Sequence, residues 1–101
     1  MSTVTDTIDK VRRFSTLVEL KNNTIEFLKV ARELNILRSN AFMGENGEIQ
    51  IIFYREDYLL ELTFELDGSV TIAEDTNDKQ SSFEEQCSLL FAATKFVNWC
   101  E

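Results

Sequence analysis

The stretch YLLELTFELDGSVTI, residues 58–72, limits the possible folds more than any other part of the chain. Tyr58, Leu60, Leu62, Phe64 and Leu66 alternate with Leu59, Glu61, Thr63 and Glu65, the period of a strand with one apolar and one polar face. Beyond Asp67-Gly68, Val70 and Ile72 alternate with Ser69, Thr71 and Ala73. The phase across the turn decides the length of the loop. With a two-residue loop Glu65 stands opposite Val70, and directly opposed residues share a face, so Val70 and Ile72 would fall among the glutamates. A three-residue loop, Leu66-Asp67-Gly68, with Gly68 in the left-handed position of a bulge, instead brings Phe64 to Val70 and Leu62 to Ile72. The odd loop is therefore predicted.

Upstream, Ile49, Ile51 and Phe53 alternate with Gln50, Ile52 and Tyr54, bounded by Gly44-Glu45-Asn46-Gly47 and Arg55-Glu56-Asp57. Three strands with short turns make an antiparallel meander. Proline is absent and the only glycines are 44, 47 and 68, which places hairpins in the middle of the chain and helices outside.

The flanks carry the helical period. Val4, Ile8, Val11, Phe14 and Val18 recur every three or four residues, and the polar run Lys21-Asn22-Asn23-Thr24 interrupts them. Asn23 or Thr24 can cap a second helix, with Leu28, Ala31 and Leu34 in one row and Phe27, Val30, Leu34 and Leu37 in another. Two helices over residues 5–20 and 24–37, packed as a hairpin, are expected; one long kinked helix is the alternative.

Near the C-terminus Ser82 and Glu85 fit a capping box. The helix it opens has one stripe at Phe83, Cys87, Leu90, Thr94 and Val97 and a second at Leu89, Ala93, Phe96 and Cys100. Its half LLFAATKFVNWC is polar only at Thr94, Lys95 and Asn98, so the helix is either central to the core or partly covered by another chain. Trp99 points away from the first stripe, which makes Leu89, Phe96 and Trp99 the candidate oligomer surface of a homodimer; cover by the N-terminal helices is the alternative. The expected order is α-α-β-β-β-α, a two-layer α+β domain occupying residues 1–101.

Charge divides the chain. Residues 1–40 hold seven Lys and Arg against five Asp and Glu, a balance of +2, whereas residues 41–101 hold three against thirteen, a balance of −10. A half that acidic repels phosphate, so neither nucleic acid nor an anionic membrane is an expected partner, and no apolar run reaches the 18 residues of a membrane span. The segment MSTVTDTIDKVRRF lacks the basic-then-apolar pattern of a secretory leader. Two cysteines are too few for a disulfide scaffold, and on one helix Cys87 and Cys100 would stand about 20 Å apart, beyond bonding reach. A reduced, cytoplasmic setting is expected.

Equipment for chemistry is sparse. The chain has no histidine, which removes Ser-His and Cys-His nucleophile pairs and ordinary zinc sites. Gly44 and Gly47 flank a hairpin turn that leads into a strand, not a phosphate-binding helix, and no dinucleotide or P-loop pattern is present. Glu61 and Glu65 lie about 13 Å apart along one strand, too far for a glycosidase pair. The run Glu74-Asp75-Thr76-Asn77-Asp78 faintly resembles a calcium loop but lacks its glycine and distal glutamate. Cys87 sits on an apolar stripe with no basic neighbour in sequence, the setting of an inert thiol. Neither catalytic residues nor a cofactor or metal site is expected, and the chain does not read as an enzyme.

Surface composition is more informative. On the sheet face opposite the apolar stripe, Ile52, Tyr54 and Leu59 fall near Glu61, Thr63 and Glu65. An apolar cluster rimmed by acids has the make-up of a protein-binding patch, although another segment of the same chain can equally cover it. The stretch GEIQIIFYREDYLLELTFELDGSVTI also resembles small uncharacterised bacterial proteins, in which a Gly-x-Ile-x-hydrophobic strand precedes a Leu-x-hydrophobic strand ending in Asp-Gly. That resemblance covers Gly47 to Ile72 and implies the hairpin without any activity.

Two functions fit the residues. One is a non-enzymatic interaction protein that masks a basic protein partner, as antitoxins, immunity proteins, phage-encoded inhibitors and secretion chaperones do. The other is a small-molecule-binding or sensory homodimer with a ligand between sheet and helices, walled by some of the eight phenylalanines.

Overall fold

A computed structural model describes residues 2–56, 58–76 and 79–100. In chain order these form β1 (Ser2–Thr3), α1 (Val4–Arg12), α2 (Val18–Glu33), β2 (Arg38–Met43), β3 (Ile49–Arg55), β4 (Tyr58–Phe64), β5 (Val70–Thr76), β6 (Lys79–Cys87) and α3 (Leu89–Cys100). The class is α+β, but the sheet is larger than the expected three-stranded meander. Five full strands and the two-residue β1 pair antiparallel in sequence order.

The central hairpins follow from their turns. Phe64 pairs with Val70 and Leu62 with Ile72, as the odd loop requires. The Glu65 amide donates to the Ser69 carbonyl (2.9 Å) and the Gly68 amide to the Glu65 carbonyl (3.1 Å), with Gly68 at φ +90°. The Asp67 carboxylate accepts from the Ser69 hydroxyl (2.6 Å) and amide (2.9 Å), which holds its pKa below the usual carboxylate range. The same device joins β2 to β3, where the Gly44 amide donates to the Glu48 carbonyl (2.8 Å), the Gly47 amide to the Gly44 carbonyl (3.1 Å), and Gly47 lies at φ +96°.

The two glycines differ in surroundings. A Cβ at Gly68 meets nothing within 4 Å, whereas one at Gly47 would lie 2.8 Å from Thr16 Oγ1. Gly68→Ala is expected to cost about 1 kcal/mol of left-handed strain. Gly47→Ala adds a steric clash and should cost more, a ranking that urea midpoints of the two variants read directly.

The N-terminal helices break earlier than the polar run suggested. Lys21-Asn22-Asn23-Thr24 lies inside α2, and the interruption falls at residues 13–17. Thr24 is buried without cost because its hydroxyl donates to the Leu20 carbonyl (2.7 Å). Thr16, in the connection, donates from Oγ1 to the Gly47 carbonyl and ties the helix–helix joint to the β2–β3 turn. Val4, Ile8 and Val11 of α1 and Ile25, Phe27, Leu28 and Ala31 of α2 are buried, while Val18, Val30, Leu34 and Leu37 are exposed.

Another correction concerns residues 79–87. The Ser82–Glu85 capping box does not open a helix; these residues lie in β6, so Phe83 and Cys87 stand on a strand, and α3 begins at Leu89. Ser88 performs the capping, its Oγ accepting from the Phe91 amide (3.1 Å).

One sheet face holds the core. Ala41, Ile49, Ile51, Phe53, Leu60, Leu62, Phe64, Val70 and Ile72 are fully buried there. All three helices pack on this side: Ser39 of β2 donates to Thr7 Oγ1 of α1 (2.7 Å), and Phe27 of α2 meets Phe64 edge-on at 5.2 Å. Phe96 of α3 lies 4.7 Å from Phe53 and 5.7 Å from Phe27, centroid to centroid.

Candidate interaction surfaces

With every helix of the described residues on one side, the other sheet face is left open. Strand registers arrange it in three rows. Arg38, Tyr54, Leu59 and Asp75 form the first, Asn40, Ile52, Glu61 and Ala73 the second, and Phe42, Gln50, Thr63 and Thr71 the third. Ile52, Tyr54, Leu59, Glu61 and Thr63 thus share the open face, and Glu65 joins them at its margin by accepting from Thr71 Oγ1 (2.8 Å). These six residues are all partly buried, because neighbouring side chains on the pleat shield one another.

The electrostatics run across the face. Toward β5, burial raises the pKa of Glu61 above the ordinary carboxylate value, and the like charge of Asp75 raises it further. Asp75 stands diagonally from Glu61, two residues beyond its direct partner Ala73. Toward the β2 margin the charge is positive. Lys10 of α1 donates to Asn40 Oδ1 (3.1 Å) and holds its ammonium 4.9 Å from the Phe42 ring centroid.

The sign for Glu61 follows from linkage. A folded-state value above the unfolded one means that the native chain binds more protons, so this group's contribution to stability falls as pH rises through the window above 4.5. Glu61→Gln is therefore expected to stabilise the fold at neutral pH by less than about 1 kcal/mol after solvent screening. Thermal melts at pH 7 and at acidic pH check this, since the gain should vanish once Glu61 is protonated.

The other candidate surface needs revision. Phe96 is only 1% exposed and belongs to the core, so it presents nothing to a partner. Leu89 and Trp99 pack partly against that core. The exposed apolar side chains of α3 are Leu90 (79%), Phe91 and Val97. Helical spacing alone did not fix which side of this nearly all-apolar helix faces inward.

At the far end of the core face, polar residues replace the apolar rows. Arg55 follows Phe53, Glu74 follows Ile72 and Tyr58 precedes Leu60, and together with Glu56 and with Lys95, Asn98 and Trp99 of α3 they line a cleft of about 570 Å³. Arg55 donates from Nη1 to the Trp99 carbonyl, satisfying one of the helix-end acceptors and fastening α3 to the sheet.

Among the described residues no group of three or more cysteine, aspartate and glutamate side chains converges on a point that would hold a metal. Of the loosely calcium-like run, Glu74, Asp75 and Thr76 end β5, and Asn77 and Asp78 lie outside the described residues. No helix among the described residues is long and apolar enough to cross a membrane. Comparison with protein-family models, with curated proteins and with solved structures gives no match.

Proposed function

We propose that this chain is a non-enzymatic interaction module that binds a basic protein partner through its open sheet face, in the manner of antitoxins, immunity proteins, inhibitors and secretion chaperones. One observation carries the reading. Glu61 and Asp75 repel each other on an uncovered surface, beside Tyr54, Leu59 and Ile52. A guanidinium or ammonium from a partner relieves that repulsion and donates to both carboxylates at once, while the aromatic and aliphatic neighbours supply the apolar centre an interface needs. The −10 balance of residues 41–101 adds long-range steering toward positive proteins.

The test is capture from a lysate of the source cells at low and at high salt. A basic protein retained at low salt and released as salt rises supports the reading, because exposed charge pairs are screened beyond about 10 Å at ordinary ionic strength. The same experiment addresses small-ligand binding, which the cleft lined by Arg55, Lys95, Glu74 and Trp99 favours. No captured protein at low salt, together with a thermal shift from a metabolite panel that Arg55→Gln abolishes, would select the ligand-binding reading instead.

A further inference from the structure

The surface least like the rest of the molecule is the seam between α2 and α3. Phe27, Val30, Leu89, Leu90, Ala93 and Val97 line an apolar groove of about 530 Å³, with Phe96 at its floor and Glu26 at its rim. Glu26 is itself engaged by Lys29 at 3.7 Å. Leu90 is 79% exposed, and Val30 and Val97 are each more than a third exposed. A continuous apolar surface of this kind, rimmed by polar groups, marks an association site.

We propose that the occupant of this groove is the same groove of a second copy of the chain. Charge is the first reason. Two chains of net charge −8 repel each other at long range, and the open sheet face concentrates Glu61, Glu65 and Asp75. Residues 89–100, by contrast, contain no Asp or Glu and one cation, Lys95. Two α3 helices therefore meet without opposing carboxylates, and the carboxylate at the groove rim, Glu26, is paired with Lys29. Shape is the second reason. A two-fold interface uses one patch on both partners, so that patch must contain both a protrusion and a hollow. Leu90 supplies the protrusion at the first turn of α3, and Ala93, one turn on, leaves the hollow beside it. Antiparallel crossing of two α3 helices seats each Leu90 over the other copy's Ala93. The contact leaves the open sheet faces free, so dimerisation and partner binding use different residues.

Light scattering on the full chain over a wide concentration range tests this at low and high salt. The mass should rise toward twice 11.7 kDa with concentration, and rise sooner at high salt, because screening removes like-charge repulsion and leaves the apolar contact. That salt dependence is opposite to the one expected at the sheet face, so failure of either proposal is distinguishable from failure of the other. Leu90→Glu buries a carboxylate in the seam and should weaken association by about a hundredfold or more. The side chain is exposed in the single chain, so the variant should fold as the parent does. Val97→Glu provides an independent second variant with the same expected outcome. A mass of 11.7 kDa at every concentration and salt, dimers that weaken as salt rises, or dimers that persist in both variants would overturn the proposal.

Discussion

Phe96→Ala is expected to lower the unfolding free energy by about 3–5 kcal/mol, a third or more of what a chain of this size has to lose. The ring is fully buried and joins three elements: it lies 4.7 Å from Phe53 on β3 and 5.7 Å from Phe27 on α2. Truncation leaves a void that these neighbours cannot fill, because Phe27 is also held edge-on against Phe64. The melting temperature should fall by at least about 12 °C, and the urea midpoint should shift with little change in slope. Leu90→Ala, at the second residue of the same apolar helix but 79% exposed, should change the stability of the single chain by about 0.5 kcal/mol or less. Equal costs for the two would mean that α3 docks by a different face.

Charge reversal on the open sheet face gives the second large effect. Glu61→Lys places a cation where the partner's cation is expected, and like charges brought together across an interface cost several kcal/mol. With Tyr54→Ala, which removes the central aromatic anchor, affinity for the basic partner should fall by more than about a hundredfold. Stability should move the other way. Glu61 is held against burial and the charge of Asp75, so a lysine ammonium at this position meets an opposite charge and relieves the repulsion. A single variant, Glu61→Lys, is therefore expected to melt slightly higher and bind much more weakly. A merely destabilised protein cannot give that combination, and melting curves measured beside binding isotherms separate the two effects.

The parts of this fold that were legible in the sequence are those where one physical requirement dominates. Around Asp67-Gly68 the alternation on both sides of the turn leaves one consistent phase, and the loop and its register follow from it. The six open-face residues were legible for the same reason, since period two fixes which side chains share a face. Where the pattern is weak, tertiary context decides. β2, Arg-Ser-Asn-Ala-Phe-Met, has no β-branched residue, and its inward positions Ser39 and Ala41 are small because α1 lies close above them. That hid Asn40 and Phe42, which extend the open face, and with them the role of Lys10.

β6, Lys-Gln-Ser-Ser-Phe-Glu-Glu-Gln-Cys, carries no alternating apolar set, so its Ser82–Glu85 spacing read as a helix start. Pairing with β5 overrode it, and the irregular register there, with Gln86 at φ +53°, has no counterpart in local propensity. The polar run Glu74 to Asp78 has the composition of a loop, so the sequence does not show Asp75 as a neighbour of Glu61, although it lies near the end of β5. The inward side of α3 is illegible for a different reason: nine of its twelve positions are apolar, and only the packing of Ala92 and Phe96 selects one side.

The central claim is that the open face of the sheet receives a basic protein. Parallel capture at low salt on the parent chain, on Tyr54→Ala with Glu61→Lys, and on Leu90→Glu tests it most directly. The parent chain and Leu90→Glu should retain the same basic protein, and the sheet-face variant should lose it while remaining folded. Retention of that protein by the sheet-face variant, or its loss from Leu90→Glu alone, would contradict the account.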